Sequence, residues 1–368
     1  MNEKEELKVL RVKIDKIDEG LIGLFQERLR VCERIADVKA AGNIAIVDSA
    51  RESEKVATVV NHEDSRAIVP YLRSIMALCT IRQREKLLPG HDILFPQSGM
   101  RKTQDIKVGY QGVIGAWGEQ GAKKIFPEAS MQNFDYFEDV FIAVKKGEVD
   151  YGILPIENSQ TGAIGEVYDL LRTNGCFIVG QTVIPIAHCL LGKKDAVLSD
   201  VREVLSHPEG FRQCHKFLRD KSWDITTSRN TAVAAQTVAE RDDKRSAAIG
   251  SERAAEIYGL SVLAKDIVDN PHNQTRFIAI ANQPIYDEES GMISATFSTK
   301  NISGALCTVL QTFMLAGINL TRIESRPVTE NTYRFFTDLQ ANVMDERVLE
   351  ALRQASAQCD YFEILGCY

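Results

Sequence analysis

Residues 7–38 read LKVLRVKIDKIDEGLIGLFQERLRVCERIADV, with apolar side chains at Leu7, Leu10, Ile14, Ile17, Leu21, Leu24, Val31, Ile35 and Val38. The spacing alternates between three and four, which places a stripe along one face of an α-helix. Asn2, with Glu5 three residues later, can cap its start, and Gly42-Asn43 can end it. About 37 residues at 1.5 Å each make a rod of roughly 55 Å, longer than a domain of about 90 residues is wide. The apolar seam therefore needs a second chain, and an intertwined dimer is expected. Gly20 and Gly23 weaken the middle, so a kink there is the competing expectation.

Working outward, Ser49 and Glu52 form a capping box for a second helix to about Asn61, and a third runs from about Ser65 or Pro70 to Leu88. Residues 1–90 are thus all-helical. From Leu88-Pro89-Gly90-His91 to about Asp105 there is no periodicity, which marks a linker. Between Ile106 and Gln283, short apolar runs alternate with helix-like stretches: Ile106–Tyr110, Tyr151–Ile156, Phe177–Val179, Ile184–Leu191, Val204–Ser206, Ala247–Ile249 and Phe277–Ala281. That alternation predicts α/β architecture with mainly parallel strands. After a polar break from Gln283 to Gly291, residues 291–368 read strand, helix, strand, strand, helix, strand, a ferredoxin-like βαββαβ unit. The expected protein is multidomain: 1–90 all-α, 106–283 α/β, 291–368 ferredoxin-like.

Composition removes several classes of function. Lys plus Arg number 44 and Asp plus Glu 51, a net charge of −7, so the chain has no basic surplus for a phosphate backbone. The eight cysteines form no C-x-x-C pair, so neither a metal centre nor a disulfide framework is expected. The charged N-terminus lacks a signal peptide's apolar core and no apolar run reaches about 18 residues, giving a cytoplasmic expectation with no membrane partner. Gly109-x-x-Gly112-x-x-Gly115 lacks the spacing of a nucleotide fingerprint, and no cofactor is expected.

In the helical segment Arg28 occupies the seam slot between Leu24 and Val31. Lys39 follows eleven residues on, three turns along nearly the same face, whereas Arg11 lies roughly 25 Å away. Polar Gln83 sits in the seam Leu72, Met76, Cys79, Gln83, Leu87 of the third helix. The bland alternative pairs Arg28 with a buried acid and leaves Gln83 satisfying backbone. Arg11, Arg28, Lys39, Asp48, Arg51, Glu52 and Gln83 stand at the spacing of the chorismate mutase domain of bifunctional enzymes of phenylalanine synthesis, which residues 1–90 resemble. Cys79 replaces a serine usual near the substrate carboxylate. The resemblance implies that Arg28 and the other chain's Arg11 clamp two carboxylates, while Lys39 and Gln83 donate to the ether oxygen. Glu52, helped by Asp48, would hold the ring hydroxyl, and Arg51 would add positive field. Such a rearrangement needs no nucleophile, only conformer selection and charge stabilisation.

Helix-opening turns in the α/β segment, at Asn158-Ser159, Ser206-His207-Pro208, Asn230-Thr231 and Gly250-Ser251, present backbone N–H groups to anions, as they do in any α/β fold. Pro155-Ile156-Glu157-Asn158-Ser159, Ser206-His207-Pro208 with Gln213-Cys214, and Asn273-x-Thr275-Arg276-Phe277 together resemble prephenate dehydratases. That family is two-lobed with the substrate between the lobes. The resemblance implies Thr275 as the acid that helps hydroxide leave, with Asn158, Ser159, Ser206, Thr231, Arg276 and Phe277 binding or orienting substrate. Ala116-Trp117-Gly118 lacks hydroxyls that the family carries beside its aromatic residue, so an impaired dehydratase, or a non-catalytic bilobed regulator, is the competing reading. Gly304-Ala305-Leu306 and Glu324-Ser325-Arg326-Pro327 resemble the phenylalanine-binding motifs of ACT regulatory domains, implying feedback by phenylalanine bound between paired domains. Chorismate and prephenate as substrates, phenylalanine as effector and a homodimer or larger homo-oligomer complete the expected partners.

Overall fold

The computed structural model describes residues 3–87 and 95–368. Three helices open the chain: α1 (Glu3–Ala41), α2 (Ser49–Ala57) and α3 (Ser65–Leu87). The 39 residues of α1 form one helix that runs through Gly20 and Gly23. It ends as Gly42 N donates to the Val38 carbonyl at 3.0 Å and Ile44 N to that of Lys39 at 2.8 Å. Asn43 takes the left-handed turn, with φ 51°. Two expected boundaries need correction. Asp48, not Ser49, caps α2, its carboxylate accepting from Arg51 N at 2.9 Å, and α2 stops at Ala57 rather than Asn61. Asn2 and residues 88–94 lie outside the described residues.

α3 runs alongside the second half of α1 in the same direction. Arg82 meets Glu33 at 2.8 Å and Lys86 meets Asp37 at 2.5 Å, while Cys32 and Ala36 of α1 and Cys79, Ile81 and Gln83 of α3 are buried. The first half of α1 has no such cover: Leu7, Leu10, Ile14, Ile17, Leu21 and Leu24 are each 44 to 66 % exposed.

The α/β region begins with β1 (Lys107–Gln111), α4 (Trp117–Ile125), β2 (Ser130–Phe134), α5 (Phe137–Lys146), β3 (Tyr151–Asn158), β4 (Gly162–Ala163), α6 (Gly165–Asn174) and β5 (Phe177–Pro185). The chain then crosses into a second lobe: β6 (Cys189–Gly192), β7 (Glu203–Ser206), α7 (Pro208–Gln213), α8 (His215–Leu218), β8 (Asp224–Thr227), α9 (Thr231–Glu240), β9 (Ser246–Gly250), α10 (Glu252–Tyr258) and β10 (Ser261–Ala264). It returns to the first lobe as β11 (Gln274–Ala281). The expectation of mainly parallel strands is corrected here. β11 lies antiparallel between β3 and β5, and β6 lies antiparallel between β9 and β10. The lobe-to-lobe crossovers reverse the chain, and short apolar runs carry no record of strand direction.

The last unit is β12 (Ile293–Ser298), α11 (Ala305–Leu315), β13 (Asn319–Thr329), β14 (Thr332–Gln340), α12 (Glu346–Ser356) and β15 (Tyr361–Cys367), in the expected βαββαβ order. Its strands align β13-β14-β12-β15, and β15 continues into the first lobe by pairing in parallel with β5 at Gly366 and Ile178. The aperiodic segment after residue 94 is tied down. Phe95 packs on Phe177 and Tyr286 with ring centroids 5.9 and 5.3 Å apart. Ser98 Oγ donates to the Tyr286 carbonyl at 2.7 Å, and Gly99 N to that of Pro284 at 2.8 Å.

At the seam between the two sheets a Cβ on Gly366 would overlap the Ile178 carbonyl. Gly366→Ala is therefore expected to lower stability by about 1–3 kcal/mol, whereas Gly291→Ala, with open space around it, stays near neutral. Urea midpoints at equal slope check this; equal midpoints would remove the seam as a close-packing point.

Candidate functional site

Two sites follow from the packing. In the helical unit, Arg28 is half-buried between α1 and α3. Its Nη1 donates to the Ile75 carbonyl at 3.4 Å and to the sulfurs of Cys32, at 3.8 Å, and Cys79. No carboxylate neutralises it among the described residues, so the bland reading of an Arg28–acid pair is not what is built. Burial, and then hydrogen bonding with the Cys32 thiol, push the Cys79 thiol up to about 11, so it stays a neutral neighbour. One turn further along α3, Gln83 is 8 % exposed and its buried Oε1 has no partner among the described residues. Lys39 donates to the Ile46 carbonyl in the loop before α2.

Glu52 is partly buried on α2, Asp48 is occupied as the cap, and Arg51 pairs with Glu54 at 2.6 Å in solvent. Arg11 stands exposed on the uncovered half of α1. Within one chain the structure gathers Arg28, Cys79 and Gln83 on the α1–α3 seam; Arg11 is remote from them.

The second site lies where the two crossovers between lobes meet. Ile267 N donates to the His188 carbonyl at 3.0 Å and Ile186 N to that of Asn273 at 2.8 Å, joining the crossovers. Thr275, the second residue of β11, lies directly opposite Asn158 on β3. Asn158 has one possible amide orientation, because the backbone N–H groups of Gln160 and Thr161 point at one of its atoms, at 2.9 and 3.2 Å, and that atom must be Oδ1. Nδ2 then donates to Thr275 Oγ1 at 2.9 Å and to Asn273 Oδ1 at 2.9 Å. Two donors are left over: the Thr275 hydroxyl proton and Asn273 Nδ2, which is buried without a partner among the described residues. A hydroxyl that accepts an N–H bond is polarised toward releasing its own proton.

His188 fills the hinge. It is 2 % exposed, its ring lies 5.9 Å from that of Trp117, and its Nε2 shares a 3.0 Å hydrogen bond with Gln213 Oε1. Trp117 Nε1 and His188 Nδ1 are likewise buried without partners among the described residues. Across the mouth the lobes touch through Tyr258, whose hydroxyl donates to the Ile114 carbonyl at 2.7 Å, and through Arg253 and Glu119, 3.8 Å apart.

The other expected residues divide. Ser159 Oγ accepts from Gln274 N at 3.0 Å beside the site. Ser206 is fully buried and donates to the Ile249 carbonyl at 3.3 Å, a structural bond. Asn230, rather than Thr231, caps α9, leaving the Thr231 hydroxyl free of capping duty. Two assignments are corrected. Arg276 turns to the opposite face of the sheet, onto Asp338 at 2.7 Å, because successive strand residues alternate faces. Phe277 is 2 % exposed and packs against Gly121, where an added Cβ would sit 3.2 Å from its ring; it is core.

Gly118, in the segment where the family carries hydroxyls, faces backbone, since a Cβ there would lie 3.1 Å from the Gln111 carbonyl. Gln213, His188 and Asn273 belong to the site without being among the residues the sequence points to. Asn273 sat in a quoted motif; His188 carried no local signal.

In the last unit Gly304 precedes α11 with φ 85°; Ala305 and Leu306 are partly buried in its first turn. β13, which carries Glu324, Ser325, Arg326 and Pro327, is the edge strand of the sheet. Arg326 reaches Asp169 on α6 at 3.5 Å. No helix among the described residues is long and apolar enough to cross a membrane.

Comparison with known proteins bears on all three units. Residues 10–84 match the family described as chorismate mutase type II, residues 108–285 prephenate dehydratase, and residues 293–357 the ACT domain. The chain is 32 % identical to the bifunctional chorismate mutase/prephenate dehydratase of Aquifex aeolicus (strain VF5), over 99 % of this chain and 98 % of that one. It is 37 % identical to the chloroplastic arogenate dehydratase/prephenate dehydratase 2 of Arabidopsis thaliana, over 72 % of each. A solved structure of prephenate dehydratase in complex with L-Phe, from Arthrobacter aurescens, superposes with TM-score 0.65 at 28 % identity, covering 72 % of this chain and 90 % of that one.

Burial holds the His188 imidazole at about 4, below its ordinary 6.5. The unfolded chain then binds the extra proton between these values, so the stabilisation is complete above about pH 6.5 and is lost as pH falls toward 4. The loss from this group is about 3 kcal/mol. His188→Gln should flatten that part of the pH–stability curve measured by urea unfolding; an unchanged slope would place the acid sensitivity elsewhere.

Proposed function

The chain belongs to the family of bifunctional chorismate mutase/prephenate dehydratases, and on that premise we propose which residues carry each reaction. It is an enzyme of phenylalanine biosynthesis that rearranges chorismate to prephenate, then dehydrates and decarboxylates prephenate to phenylpyruvate, with an ACT domain for feedback by phenylalanine.

For the first reaction, Arg28 clamps a substrate carboxylate; its cation faces sulfur and carbonyl acceptors only, which leaves its charge for a dianion. Gln83 donates through its amide, and Lys39, released from the Ile46 carbonyl, joins it at the ether oxygen, stabilising charge that grows in the transition state. Glu52, with Asp48, takes the ring hydroxyl, and Arg51 adds positive field. Cys79 stands where a carboxylate would meet a hydroxyl and offers a weaker thiol donor. The second carboxylate falls to Arg11 of the partner subunit. A homodimer is supported by the uncovered apolar half of α1, which a second α1 would bury.

For the second reaction, Thr275 donates to the leaving hydroxyl while carbon dioxide departs and the ring becomes aromatic. The observation that carries this assignment is the fixed Asn158 amide, which donates into Thr275 Oγ1 and so points the threonine proton away from itself. Asn273, Ser159 and Thr231 supply neutral donors to the carboxylates; Ser206 and Phe277 shape the site without touching substrate. Phenylalanine binds at Gly304-Ala305-Leu306 and Glu324-Ser325-Arg326-Pro327, on paired domains joined along the β13 edge.

Chorismate supplied to the purified chain should give prephenate and then phenylpyruvate, with the second product suppressed by phenylalanine. Lys39→Ala should abolish the mutase while added prephenate still turns over; a normal mutase rate would reject its role. Thr275→Val should slow the dehydratase by about 10²-fold or more, the scale of losing a transition-state donor, with prephenate accumulating. Thr275→Ser should retain most of the rate. Equal rates for all three would leave the hydroxyl without a role.

A further inference from the structure

Arg276 directly follows Thr275 in the Asn273-x-Thr275-Arg276-Phe277 motif, yet it faces away from the cleft. On β3 and β11, Thr275 opposes Asn158 and Arg276 opposes Glu157. Directly opposed residues share a face and successive pairs alternate, so the two pairs sit back to back on the same two strands. What covers the Glu157–Arg276 face is the C-terminal unit. Arg276 Nη1 meets Asp338 Oδ2 of β14 at 2.7 Å and Gln181 Oε1 at 3.0 Å, and its Nε lies 3.6 Å from Glu157. Arg322 Nε of β13 meets the same Glu157 oxygen at 3.0 Å. Asp338 Oδ1 accepts from Ser294 Oγ at 2.6 Å, and the Arg322 guanidinium lies 5.1 Å from the centre of the Tyr168 ring.

Two acids and two guanidiniums thus balance, with the Arg276, Arg322 and Asp338 side chains largely enclosed at 16, 13 and 8 % exposed and Glu157 at the rim, 36 % exposed. Such a group is costly to break one member at a time, because the survivor keeps its buried charge. One end is one residue from Thr275 and Asn158. The other is on β13, where Arg322 and Glu324, two apart, share a face.

We propose that Glu157, Arg276, Arg322 and Asp338 form an ionic bridge that sets the position of Thr275 and carries the coupling between the effector motif and the cleft. Arg276 is a positioning residue, and substrate does not touch it. The proposal rests on the functional reading above and adds the route by which its regulatory unit reaches its catalytic one. Coupling of this kind is reciprocal for binding, so substrate also reads out at the effector site.

The test uses the full chain. In Arg276→Gln the dehydratase kcat should fall at least tenfold with the KM for prephenate within threefold, and Arg276→Lys should recover much of the rate. A tenfold rise in KM at unchanged kcat would make Arg276 a substrate-binding residue and overturn the proposal. In Arg322→Gln, phenylalanine measured by calorimetry should still bind within threefold of its normal Kd, while more than half of the dehydratase activity survives saturating phenylalanine.

Retained binding with full inhibition would overturn the bridge, as would loss of binding, which would place Arg322 in the effector site. If Arg322→Gln does not fold, Asp338→Asn, which keeps its shape and its bond from Ser294, is read by the same criteria. Failure of the functional reading is separate: the unaltered chain would then show no prephenate turnover.

Discussion

Everything in the middle of this molecule turns on one strand being sent home in reverse. β11 returns from the second lobe and inserts antiparallel between β3 and β5, and that insertion brings three adjacent residues to three destinations. Thr275 meets Asn158 at the hinge, Arg276 crosses to Asp338, and Phe277 enters the core against α4. Ladder hydrogen bonds fix the register, and with a side-chain period of two a slip by one residue would exchange these roles. The chemistry, the regulatory contact and the packing of the lobe are therefore one constraint, which explains why three unlike side chains can sit side by side in a single motif.

The physical logic of the two proposed sites differs because the reactions differ. In the first, a dianion is held while charge grows on an ether oxygen, so uncompensated cations serve it, and Arg28 is kept available for a carboxylate by facing thiols and the Ile75 carbonyl instead of an acid. In the second, a hydroxide must not leave bare, and what helps is a neutral donor with a proton to offer. Asn158 and Thr275 provide that without any titratable group, and the one buried imidazole nearby is held neutral by burial. A chain of net charge −7 can handle two dianions because the few groups that matter are local.

Much of this was legible in the residues. The three–four spacing of α1 and the βαββαβ order of the last unit survive to within a few residues at each end, because both are written in hydrophobic period, the strongest local signal. Strand direction was not legible, since β6 and β11 become antiparallel only through crossovers whose course is set by tertiary packing. The cap at Asp48 displaced the one read at Ser49 because both residues can accept from a helix N-terminus, and only backbone geometry selects between them. The resemblance implies substrate roles for both Arg276 and Phe277; alternation along the strand argues against Arg276 beside Thr275, whereas Phe277 shares the face of Thr275 and only its packing against α4 marks it as core. His188 could not be found, as its significance lies in Gln213 and Trp117, 25 and 71 residues away.

The two connectors are tied to each other. Residues 95–99, which join the helical unit to the rest, pack on residues 284–286, which lead into the ACT domain, and Phe95 and Tyr286 both lie against that domain's core. A connector that was only a tether would have no reason to bury an aromatic ring or to satisfy its backbone on another connector. Ordering such a segment costs about 1–2 kcal/mol per residue in backbone entropy, and the Phe95 contacts and the hydrogen bonds at Ser98 and Gly99 offset that cost only while Pro284–Tyr286 keep their place. The point at which the helical unit departs is thus fixed relative to the regulatory unit, and the chain between them is short. Motion of the ACT domain large enough to disturb the Glu157–Arg322 contact must therefore also either carry residues 95–99 along or strip them from Tyr286.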